Sequence, residues 1–106
     1  MASTMQLKKP IMALSGTQIT ELKFDFEALS TRDYRQIVRL ECKLRGETPS
    51  FDLSSLRKKT SNEFQIASAW IAALKATEGL CLDDIENLSL QDLLEVGEYG
   101  ENFILL

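Results

Sequence analysis

The sequence predicts an α+β fold in which an N-terminal β-hairpin is followed by a small bundle of three to five helices. Leu22, Phe24 and Phe26 alternate with polar residues at a period of two, as in a strand with one buried face. Two longer segments, Ser30 to Gly46 and Thr60 to Glu78, repeat apolar residues at helical spacing between start and stop signals. The run from Gly79 to Asp92 holds the start and stop signals of two short helices.

A chain of 106 residues with 44% hydrophobic and 26% charged residues is long enough for one domain. Such a domain buries roughly 60 to 70% of its unfolded surface without needing metals or disulfides. The expected organisation is a flexible arm over residues 1–9 and a single domain over residues 10–106. The hairpin occupies Pro10 to Phe26, with Ile11 to Leu14 as one strand, Ser15 and Gly16 at the turn, and Leu-Lys-Phe-Asp-Phe closing the other. A lone two-stranded hairpin is marginal in water, so helices or another copy of the chain must cover its apolar face.

Ser30 and Asp33 form a capping-box-like start to the first helix, which Gly46 ends. Tyr34, Ile37, Val38, Leu40, Cys42 and Leu44 spread over a broad face of it, which suits a helix at the centre of a small domain better than a partner surface. Residues Glu47 to Ser55 are a connection broken by Pro49, with Phe51, Leu53 and Leu56 as anchors. Thr60 or Ser61 caps the next helix, with Glu63 in the capping-box position relative to Thr60. Phe64, Ala67, Trp70, Ile71 and Leu74 share one face of it, and Ala69, Ala72, Ala73 and Ala76 leave the rest smooth enough for a second close helix. Trp70 has the character of a binding hot spot, although its apolar neighbours favour core packing.

Gly79 stops that helix and Leu80 folds back on it. Asp83 and Asp84 suit a helix N-terminus, Ile85 and Leu88 repeat at a three-residue spacing, and Ser89 with Asp92 opens the last helix at about Leu90. Leu93, Leu94 and Val96 are its apolar residues, and Gly97 and Gly100 are expected to interrupt it, each costing about 1 kcal/mol relative to alanine. Phe103, Ile104, Leu105 and Leu106 then make an apolar end. Buried, each is worth roughly 1.5 to 3 kcal/mol, so they either close the core or dock on something else.

Several chemistries are disfavoured. Histidine is absent, which removes the commonest general base and zinc ligand, and the glycines form no phosphate loop. The acidic groups Asp83 with Asp84 and Glu95 with Glu98 and Glu101 suit helix starts and exposed faces, not catalysis. Cys42 and Cys81 lack any metal or redox spacing and read as small buried apolar residues. No enzyme activity, cofactor or metal is therefore expected. The formal charge of −4 argues against nucleic acid, for which Arg57, Lys58 and Lys59 with Lys75 would be the only patch. No stretch has the make-up of a signal peptide or a membrane span, so a cytoplasmic protein is expected.

The order of parts, a hairpin ending in Leu-Lys-Phe-Asp-Phe26, a capped helix with Asp33 early in it, a middle helix, then Gly79-Leu-x-x-Asp-Asp-Ile-x-x-Leu-Ser-x-x-Asp92 and an apolar end, resembles the phage tail assembly chaperone family of tailed phages and prophages. The likeness covers residues 8–106, and its most characteristic stretches are Ile19-Thr20-Glu21-Leu22, Asp84-Ile85-Glu86-Asn87-Leu88 and Asp92. The resemblance implies a small protein of the host cytoplasm, absent from the mature virion, that coats the tape measure protein, keeps it soluble and helps recruit the tail tube protein. It also implies a longer form made by translational frameshifting in many members, and it supplies no catalytic residue. The candidate partner-binding residues are Phe103, Ile104, Leu105, Leu106, Trp70 and Leu93, with self-association through the hairpin or the alanine-rich helix. A protein-protein adaptor or regulatory subunit without catalytic activity is the alternative.

Overall fold

The computed structural model describes residues 3–46 and 62–104. Over these, strands β1 (Ser3–Met12) and β2 (Gln18–Phe24) form an antiparallel hairpin, followed by helices α1 (Thr31–Arg45), α2 (Asn62–Ala76) and α3 (Leu90–Ile104). Short 3-10 helices lie at Phe26–Ala28 and Leu82–Asn87. The hairpin-first α+β architecture is the predicted one. The connection around Pro49, the Arg57 to Lys59 run, the Thr60 or Ser61 cap, Leu105 and Leu106 lie outside the described residues.

The N-terminal arm is not an arm. Residues 3–9 belong to β1, where Met5 and Leu7 alternate with polar neighbours and are buried, Met5 directly opposite Leu22. The hairpin begins at Ser3 and not at Pro10, which sits in a bulge where its missing donor interrupts no ladder bond. Gln6 pairs with Glu21 and Ile11 with Ile19, so Leu7, Lys8, Lys9 and Pro10 all stand opposite Thr20. The bulge also explains why Ile19 and Leu22, an odd number of residues apart, are both buried.

The centre of the domain is α2, not α1. Every residue from Gln65 to Ala73 is buried, and α3, α1 and β2 pack around it. Ala69, Ala72 and Ala73 are fully covered and Ala76 is half-buried, so most of the smooth second face is used inside the protomer. The apolar face of the hairpin is likewise covered by helices of the same chain. Trp70 is wholly buried, and its Nε1 donates to the Leu82 carbonyl at 2.9 Å, so it is a core residue and not a partner contact.

Gly97 and Gly100 do not interrupt α3, which is continuous from Leu90 to Ile104. They are where α3 crosses α2. A Cβ at Gly100 would overlap the Gln65 carbonyl, and one at Gly97 would stand 3.1 Å from Ile66 Cγ1. The weak helix propensity of glycine is offset by the contact it permits. Gly46 ends α1 as predicted, in left-handed conformation at φ 75°, whereas α2 already stops at Ala76 and Gly79, at φ 84°, lies three residues beyond it in the turn where the Leu80 amide donates to the Thr77 carbonyl.

Candidate interaction surface

Asp84 and Asp92, which the sequence places at helix starts, also tie the helices to the hairpin. Both are fully buried. Asp92 accepts from the Lys8 amide at 3.0 Å and the Lys9 amide at 3.1 Å, which are groups the bulge takes out of the strand ladder. Its own amide donates to Ser89 Oγ at 3.2 Å, so only that half of the expected capping box is made. Asp84 accepts from the Cys81 amide at 2.7 Å, as an N-terminal cap, and from the Leu14 amide at 2.9 Å in the hairpin turn. Burial opposes the charge on Asp92, yet the Lys8 and Lys9 amides, Ser89 and the nearby Lys8 charge outweigh it and hold its carboxyl below the usual carboxylate range. Cys42 is buried as expected, whereas Cys81 is half-buried beside this cap.

These ties hold the Leu82–Asn87 3-10 helix from both sides, by the Asp84 carboxylate and by the Trp70 bond to the Leu82 carbonyl. Leu82 nevertheless keeps 44% of its surface exposed. With Leu40 of α1 and Leu74 of α2 it floors a groove of about 360 Å³, edged by Gln36, Arg39 and Lys43 of α1. Lys43 Nζ lies 3.2 Å from Asp83 and 3.8 Å from Glu86, exposed pairs of small net worth.

The groove adjoins a basic stripe. Arg32, Arg35, Arg39 and Lys43 follow one another at three- and four-residue spacing, which puts them on one side of α1, and all four are exposed. The two acids of α1 are turned away from it. Asp33 accepts from the Ser30 amide at 2.8 Å and from Lys75 Nζ at 3.0 Å, and Glu41 is buried against Arg45. Burial disfavours the Asp33 charge, but the Ser30 amide, Lys75 and the Ser30 hydroxyl more than compensate, so its carboxyl too titrates below the usual range. Among the described residues no ion pair reaches Arg32, Arg35 or Arg39.

Of the predicted contact residues, Phe103 is 38% exposed and stacks on Phe26 with ring centroids 4.5 Å apart, which makes it the outer member of a ladder running through Phe24 to Tyr99. Ile104 closes α3. Leu93 is half-buried against the core, and it is its neighbour Leu94, with Leu90 one turn earlier, that faces outward at 58% and 70% exposure. Sequence reasoning missed the Arg32 to Lys43 stripe although its spacing was legible. It missed Leu82 because nothing local tells that residue from its buried neighbour Ile85.

Among the described residues no cluster of side chains is suited to hold a metal ion, and no helix is long and apolar enough to cross a membrane. The arrangement is suited to holding another polypeptide: a fixed apolar floor, an adjacent row of cations, and further leucines outside the core. No protein family, curated protein or solved structure matches this chain.

Proposed function

We propose that this protein is a phage tail assembly chaperone, which binds the tape measure protein, keeps it soluble in the host cytoplasm and promotes tail tube assembly around it. The supporting observation is that Leu82, Leu90 and Leu94 stay outside a core that has already closed around Trp70. Each large apolar side chain gains roughly 1.5 to 3 kcal/mol when fully covered, so several of them together can compete with self-association of an apolar helical client. Binding of this kind needs no bond-making chemistry and leaves the client intact. The likeness in element order, from the hairpin through Asp33 to the Asp84 and Asp92 helices, selects this client among the partners such a surface would suit.

Co-expression with a tape measure protein tests the reading. The client is expected to move from the insoluble to the soluble fraction and to co-elute with the chaperone in size exclusion. A client that stays insoluble, with no complex surviving the column, overturns it.

A further inference from the structure

We propose, resting on the client-binding reading above, that the groove between α1 and the Leu82–Asn87 3-10 helix seats an amphipathic client helix whose polar face is acidic. The floor and the edge of this site make different demands. Leu40, Leu74 and Leu82 present only hydrocarbon, which calls for apolar residues at helical spacing on the occupant. Arg39 and Lys43 stand at its edge, and Arg35 and Arg32 continue the same row along α1. From Arg32 to Lys43 the row is about 16 Å long at the helical rise of 1.5 Å per residue, a match for three turns of a bound helix. No acidic side chain of α1 interrupts it, because Asp33 and Glu41 are both buried and paired. On a chain of net charge −4, this concentration of cations sets the sign of the partner that approaches here.

Nucleic acid would also favour cations, but the other features of the groove work against it. Its floor is aliphatic and offers no ring for a base to stack on. Asp83 and Glu86 lie across from α1, already paired with Lys43, and would meet a phosphate backbone with like charge. An acidic amphipathic helix satisfies the floor with leucines and the arginine row with glutamates, while keeping its charge off the Asp83 side.

The test uses the full chain and a labelled synthetic helix of about 18 residues, long enough to span the row at 1.5 Å per residue. It carries leucine on one face and glutamate on the other, and is compared with a lysine-faced twin and with single-stranded DNA of similar length. Fluorescence anisotropy is expected to show the glutamate peptide binding about tenfold more tightly than the lysine peptide and than DNA, with affinity falling as salt rises. Arg39→Glu and, separately, Leu82→Ser are each expected to weaken it by about tenfold with an unchanged thermal melt, since both side chains are exposed. DNA binding as tightly as the acidic peptide would make the row a phosphate site. Equal binding of the two peptides, or indifference to both substitutions, would remove the groove as the seat. Co-expression of the tape measure protein with the Arg39→Glu, Leu82→Ser double variant separates the two proposals: undiminished client solubility sinks the groove and spares the chaperone. Peptide binding alongside a client that the unaltered chain never solubilises sinks the chaperone and spares the groove.

Discussion

Helices α1 and α2 are both fifteen residues long and lie against each other, yet they do opposite work. In α2 every residue from Gln65 to Ala73 is buried, and four alanines let α3, α1 and the hairpin approach from different sides. In α1 burial is confined to one side, and the other carries Arg32, Arg35, Arg39 and Lys43. A count of large apolar residues points the wrong way, since α1 has the broader apolar spread. Side-chain size explains the reversal. Small residues set how near neighbouring elements come, and the most closely surrounded helix is the one with the least side chain to move aside.

If α2 is the centre, truncating its largest side chain should produce the largest loss. Trp70→Ala is expected to cost about 3 to 5 kcal/mol, read from the urea midpoint at constant m-value. A loss near that of a surface substitution would break the comparison. Gly100→Ala probes the same helix from outside, because the added methyl group meets the Gln65 backbone and not a flexible side chain. A destabilisation of about 1 to 3 kcal/mol is expected in denaturant unfolding, although alanine is the better helix former. Unchanged or increased stability would mean that α3 does not press on α2 at this point.

An effect smaller than that at Trp70 and comparable to that at Gly100 is expected where buried aspartates hold the elements together. Asp33 and Asp92 titrate lower in the folded chain than in the unfolded one. Their stabilisation is therefore complete above the unfolded value of about 4 and is lost as pH falls through the lower folded value. Asp92→Asn leaves one bulge amide without its charged acceptor, at a cost of about 1 to 3 kcal/mol at neutral pH. It should also flatten the decline of the urea midpoint below about pH 4. An acid profile identical to that of the unaltered chain would show that this carboxylate does not carry the tie. The smallest effect belongs to the outer side of α1: Arg39→Glu should leave the unfolding free energy, read from the urea midpoint at constant m-value, within about 0.5 kcal/mol of the original, and a larger loss would mean that the row serves the fold.

Much of this architecture was legible because its causes are local. Ser30, Asp33, Gly46 and Ser89 mark helix ends through contacts within a few residues, and Leu22 and Phe24 alternate wherever the strand is placed, although β2 stops at Phe24 and Phe26 opens a 3-10 turn. The expectations that failed all concerned partners far away in the chain. Pro10 looked like a boundary because the bulge that accommodates it is completed by Asp92, more than eighty residues on. Gly97 and Gly100 looked like breaks because the helix they fit against is α2. Trp70 looked like a contact but is wrapped by its own chain, and Leu82, Leu90 and Leu94 join Phe103 among the outward apolar residues. The exposed apolar set could not be read ahead because exposure is what remains after every other element has packed.

Taken alone, the chain of residues determined the helical segments, the second strand and where most of them would stop, but not that residues 3–9 would be strand. These follow from dihedral preferences and hydrogen-bonding groups near helix ends, properties that a segment carries with it. Only the tertiary structure decided which helix is surrounded, which aspartates hold the hairpin, and that three leucines of a groove floor lie beside four cations of one helix. Those outcomes depend on distances between residues remote in sequence, and such distances exist only once the chain has closed on itself.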